Sequence, residues 1–131
     1  MTGSINYFFS WYSMDKIKQL LLHSSPLALG IILSYLFWRN NYLLLALYLL
    51  VVLLVILFGK DKKIESQIFA YGVVWGFVIE IVGTQISGYQ SFTNPDWMGV
   101  PLWLPVSWGY GFILIKRVAL IIAKNSPYTN E

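Results

Sequence analysis

The chain has 131 residues, 57% hydrophobic and only 11% charged, with a mean hydropathy of +0.63. A soluble domain carries about 25% charged residues, so this composition excludes a soluble enzyme, a disordered tail and a nucleic-acid-binding module. The net charge of +3 is no argument for nucleic acid, because basic residues also collect on the cytoplasmic side of membrane proteins.

The elements are predicted to be helices throughout. The first stretch, INYFFSWYSM, is aromatic and lacks the basic lead-in of a cleavable signal peptide, so it is expected on the membrane surface or against the helices. A bilayer core of about 30 Å needs roughly 20 mainly apolar residues per crossing, and four segments qualify: residues 17–38, 42–58, 66–88 and 101–122. The first contains Pro26, where a kink is expected. The second, YLLLALYLLVVLLVILF, is an unbroken apolar run closed by Gly59 and Lys60-Asp61-Lys62-Lys63. Short connections join the first three segments, which favours neighbouring antiparallel helices. The polar tail NSPYTNE is expected to fray. The reading is therefore all-α: one integral membrane domain over 1–131, a four-helix transmembrane bundle with an aromatic, proline-rich loop between its third and fourth helices.

Orientation follows from Lys and Arg. With the N-terminus inside, Lys16, Lys18, Lys60, Lys62, Lys63, Lys116, Arg117 and Lys124 fall on the cytoplasmic side, and only Arg39 on the other. That bias places the chain in the cell membrane with both termini cytoplasmic.

Among nine basic and six acidic side chains, Glu80 is the one well inside a span. An acid at mid-membrane costs about 2.5–3.5 kcal/mol on insertion scales and turns towards the protein interior. Gly72, Gly76, Glu80, Gly83 and Ser87 recur at spacings of four and three, which places the acid in a stripe of small residues where another helix can approach. Glu80 lies roughly 12 Å below Gly88 at 1.5 Å per residue. At the same depth a polar layer of Ser34, Tyr35, Tyr48, Ser107, Trp108 and Tyr110 is expected around it. Desolvation favours the neutral, proton-bearing form of such a carboxyl, and a neutral acid is what general acid catalysis needs. The alternative is a packing face with one satisfied polar residue.

From Thr84 the chain reads TQISGYQSFTNPDWMGVPLWLPVSWGYG. Pro101 suits the first turn of the fourth helix, whereas Pro105 is expected to loosen that helix's start. Trp97 fits an interfacial belt; Trp103 and Trp108 lie deeper, where aromatic walls suit an apolar or cationic intermediate. His23 has no second ligand at metal-binding spacing, Ser24, Ser25 and Ser107 lack a base, and the chain has no cysteine for thiolate metal sites or disulfides. No metal and no cofactor are implied.

Glu80-x-x-Gly83-Thr84-x-x-x-Gly88-Tyr89, then Gly99-Val100-Pro101-Leu102 and Pro105-x-x-Trp108, resemble a pattern in integral-membrane carotenoid-biosynthesis proteins. That family includes hydratases that add water to a carbon–carbon double bond of an acyclic carotenoid. The resemblance covers about residues 76–109 and implies Glu80 as the acid, with Tyr89 and Trp108 lining a polyene channel.

Together these readings give one expectation and one alternative. The expectation is proton-donor chemistry, hydration or cyclisation, on an apolar lipid or isoprenoid substrate. Glu80 would be catalytic, with Tyr48, Gln85, Tyr89, Trp103 and Trp108 as candidate substrate-binding residues. The alternative is a non-catalytic membrane protein, a small transporter or an assembly subunit forming a homo-oligomer, in which Glu80 is a structural or ion-pathway residue. Either way the bilayer is the partner, and nucleic acid is not.

Overall fold

A computed structural model describes the backbone of residues 3–124, with side chains from Met14 onward; the tail Asn125–Glu131 lies outside the described residues. Four α-helices follow in order: α1 Gly3–Phe37, α2 Asn41–Leu57, α3 Lys62–Ile81 and α4 Trp103–Ala123. A π-helical turn, Val82–Ile86, extends α3. Three of these segments are long and apolar enough to cross a membrane: Met14–Phe37, Lys62–Ile86 and Trp103–Ala123. The apolar α2 has 17 residues, about 25 Å of helix.

Local chemistry explains the boundaries. Asn40 caps α2, its Oδ1 accepting from Leu43 N at 3.0 Å, the usual duty of an N-cap amide oxygen. The backbone carbonyl of Asp61 accepts from Glu65 N at 2.9 Å, so α3 begins at Lys62, four residues before the expected start. Helix α1 begins at Gly3 and runs through Pro26; the N-terminal stretch therefore continues a helix that the sequence pattern breaks in two. Pro101 precedes α4, its carbonyl accepting from Leu104 N at 3.1 Å. Pro105 falls in the first turn of α4, where a missing N–H leaves no helical bond unmade, so it does not loosen the helix as expected.

The chain forms two compact units, one of residues 26–113 and one of residues 1–25 with 114–131. In the smaller unit Ile121 is buried and Arg117 Nη1 lies 3.4 Å from His23 Nδ1. In the larger unit the buried core is Leu44, Val52, Val100, Val106, Tyr110 and Ile113, but α3 is arranged differently. The buried residues of α3 are Glu65, Gly72, Gly76 and Glu80, whereas Val74, Trp75, Val78 and Ile79 face outward. A helix that turns its small and acidic residues inward and its large apolar ones outward has the pattern expected of a helix in a hydrocarbon solvent.

The glycines of that stripe meet α4 directly. A Cβ on Gly72 would lie 2.9 Å from the Gly109 Cα, and one on Gly76 only 2.3 Å from Trp108 Cβ. Reciprocally, a Cβ on Gly109 would stand 2.6 Å from the Phe69 ring. Missing side chains on both helices thus bring the backbones of α3 and α4 together. The small-residue face, expected to let another helix approach, meets this chain's own α4.

Candidate functional site

Residues 87–102 link the π turn to α4 and fold back on the helices. Met98 and Gly99 both have positive φ, 49° and 77°, as the two central positions of a type I′ turn require. Val100 N donates to Trp97 O at 2.9 Å, and Trp97 N to Val100 O at 3.2 Å, closing the turn. Trp97 then stacks on Phe77 with ring centroids 5.1 Å apart. Asp96 Oδ2 accepts from Leu102 N at 2.9 Å, fixing the approach to α4.

The π turn supplies the other anchor. Ser87 N donates to Val82 O at 2.8 Å, a bond spanning five residues, and such turns recur at functional positions. Thr84 Oγ1 donates to the Glu80 carbonyl at 2.8 Å, tying the π turn back to α3.

Glu80 itself is 6% exposed, and both carboxyl oxygens are engaged. Trp108 Nε1, a group that can only donate, reaches Oε1 at 2.7 Å. Gln90 Nε2 donates to Oε2. Glycines make both contacts geometrically feasible. Gly76, one turn before the acid, leaves room for Trp108, and Gly83, three residues after it, leaves room for Gln90. A Cβ on Gly83 would lie 2.7 Å from Gln90 Nε2. The stripe is therefore a slot for the two donors that hold the carboxyl.

A second polar set lies elsewhere in the same unit. Tyr48 Oη donates to the Gly30 carbonyl at 2.8 Å and lies 2.8 Å from Ser34 Oγ. With its own hydrogen directed to Gly30, the tyrosine oxygen accepts from Ser34. Tyr48 also stacks on Trp103, centroids 5.7 Å apart at 26°. Trp103 Nε1 donates to Asn41 Oδ1 at 3.2 Å, and the buried Asn41 donates through Nδ2 to Asn94 O at 2.6 Å.

The expected site residues thus fall into separate groups. Glu80 and Trp108 come together. Tyr48 and Trp103 also come together, but their bonds run to Gly30, Ser34 and Asn41. Gln85 is exposed and its amide packs where a Cβ on Gly99 would sit. Tyr89 is 68% exposed, with its ring beside Gly83. The single polar layer around Glu80 resolves into these two sets, and Tyr35, at 81% exposed, belongs to neither. Ser107 and Tyr110 instead line a cavity of about 250 Å³ with Pro26, Gly30, Ser34 and Tyr48.

Gln90 and Asn41 were not among the expected residues. A buried carboxylate must find donors, and the amides of the following loop are the nearest donors in sequence, which is the signal that points to Gln90. Glu65 is likewise a second buried acid, 3% exposed, because α3 starts early enough to include it. Among the described residues no group of three His, Cys, Asp or Glu side chains is placed to hold a metal ion. No protein-family model, curated protein or solved structure matches the chain.

Proposed function

We propose that the chain is a small multi-pass membrane protein that works by binding rather than by proton transfer, with Glu80 as the structural acceptor that locks the 87–102 loop and α4 onto α3. In this reading all four helices cross the bilayer, α2 at the short end of the usual range of about 17–25 residues. Both termini then lie on the cytoplasmic side, supported by the distribution of Lys and Arg. Reporter fusions at Glu131 and within Phe92–Asp96 are expected on opposite sides of the membrane. A C-terminal reporter on the outer side would overturn the orientation.

The observation that carries the structural role is the double hydrogen bond to the buried Glu80 carboxyl, from Trp108 and Gln90. An acid that protonates a substrate must present its proton to that substrate. Here the donors of two different elements occupy both oxygens, and the cavity of about 250 Å³ is lined by α1, α2 and α4 instead.

Substitution separates the roles through stability. In Glu80→Gln one oxygen still accepts from Trp108, and Gln90 can reverse its amide to accept from the new NH₂, so the variant is expected to fold with nearly native stability. Glu80→Leu strands two N–H groups, at about 1–3 kcal/mol each, and is expected to melt well below wild type in the same detergent. A Leu variant as stable as wild type would remove the structural role. The carboxyl would then be spare for chemistry, and the hydration or cyclisation reading would be favoured.

A further inference from the structure

The cavity of about 250 Å³ between α1, α2 and α4 has polar spots that can accept a hydrogen bond but not give one. Gly30 opens the way: a Cβ there would stand 3.1 Å from Tyr48 Oη, so the missing side chain lets the tyrosine reach the α1 backbone. Tyr48 directs its hydroxyl hydrogen to the Gly30 carbonyl at 2.8 Å, and Ser34 directs its own to Tyr48 Oη at 2.8 Å. From α4, Ser107 Oγ donates to Leu104 O at 2.7 Å. Tyr110, the remaining polar side chain of the wall, is engaged within the chain as well.

A hydroxyl carries one hydrogen and two lone pairs. Both serine hydrogens are committed, yet among the described residues nothing donates to the Ser34 or the Ser107 oxygen. A ligand that brings only acceptors, such as a carboxylate, an ester or an ether, meets lone pairs there and gains no hydrogen bond. An ammonium group could donate, but no lining side chain carries a negative charge, and an unpaired cation is costly to bury. A neutral hydroxyl satisfies both conditions.

The rest of the wall is Pro, Gly, Leu, Ile and Val, which suits hydrocarbon. A cavity of about 150 Å³ takes the six carbons of benzene, and by that ratio this one takes about ten non-hydrogen atoms. Leu27 and Ile31 line it and are also exposed, so in the proposed membrane arrangement a longer tail can pass them into the hydrocarbon. We propose, resting on the binding role given above, that this cavity takes a neutral long-chain alcohol, its hydroxyl donating to Ser34 or Ser107 and its chain filling the space between the three helices.

The test is photolabelling of the full chain in phosphatidylcholine vesicles. The probes are a ten-carbon primary alcohol with a mid-chain diazirine and its methyl ether, at equal membrane concentration, with adducts mapped by peptide mass spectrometry. The alcohol is expected to label residues 30–34 and 107–110 about fivefold more than the ether, the worth of one net hydrogen bond. The outward residues Leu50 and Leu53 should take up both probes equally. Val51→Phe adds bulk from α2 and Leu33→Phe adds it from α1. In either variant that keeps the wild-type melting temperature, the lead of the alcohol should disappear. Equal labelling of the wild-type cavity by alcohol and ether would overturn the proposal, as would cavity labelling no stronger than that of Leu50 and Leu53. The structural role of Glu80 stands or falls separately, on the melting of Glu80→Leu.

Discussion

Gly76→Ala tests the link between helix packing and the Glu80 carboxyl. The added Cβ would stand 2.3 Å from Trp108 Cβ, 2.5 Å from Cγ and 2.8 Å from Cδ1, where nonbonded carbons prefer about 3.5–4.0 Å. Trp108 Cβ is fixed to the α4 backbone, so no rotamer relieves the clash, and the helices must part by more than about 1 Å. The indole N–H, now 2.7 Å from Glu80 Oε1, would then pass the limit of a hydrogen bond. Overpacking costs about 1–3 kcal/mol, and a buried indole N–H left without its acceptor about 1–3. Alanine returns about 1 kcal/mol of helix propensity, so the net loss is roughly 1–5 kcal/mol. Thermal melts in detergent should place the variant well below wild type. The control is Gly111→Ala in the same α4 neighbourhood, where a Cβ meets nothing within 4 Å; it is expected to gain up to about 1 kcal/mol. A Gly76→Ala protein at or above wild-type stability would refute the reasoning, because a tolerated Cβ means that α3 and α4 do not approach this closely.

Two further substitutions probe the same unit. Gly83→Ala meets the far ends of the Gln90 and Tyr89 side chains rather than a backbone-anchored atom, so its cost should be about 1 kcal/mol, one hydrogen bond. That cost should largely vanish in a Gln90→Ala background, a non-additivity that a double-mutant cycle reads directly. Asn41→Ala removes the partner of both Trp103 Nε1 and the Asn94 carbonyl. It should destabilise by about 1–3 kcal/mol and shift the Trp103 indole N–H resonance.

The all-helical character and the burial of Glu80 in a glycine stripe were legible in the sequence because both follow from composition and from a 3.6-residue period. What the sequence could not supply was azimuth. Depth counting gives each residue a height, yet Ser34 and Tyr35 differ by about 100° around their helix; one bonds Tyr48 and the other faces outward. Heights alone therefore merged two networks into one layer. Gln90 was hidden for a different reason. It sits in irregular chain with no period to read, and its position depends on the π turn and on the missing side chain of Gly83. Glu65 was missed because hydropathy begins after it, while the helix begins at Lys62, before it.

On the proposed membrane topology, the pairing of Glu80 also bears on how the chain enters the bilayer. Its donors come later in synthesis, Gln90 from the following loop and Trp108 from α4. While α3 alone has emerged, it offers the lipid a bare carboxyl, at a cost of about 2.5–3.5 kcal/mol on insertion scales. Once α4 arrives, the acid is covered and the glycine slot is filled. In the proposed membrane arrangement, partition into the bilayer is therefore most favourable for α3, the loop and α4 moving as a hairpin, so the step of insertion is larger than a single helix.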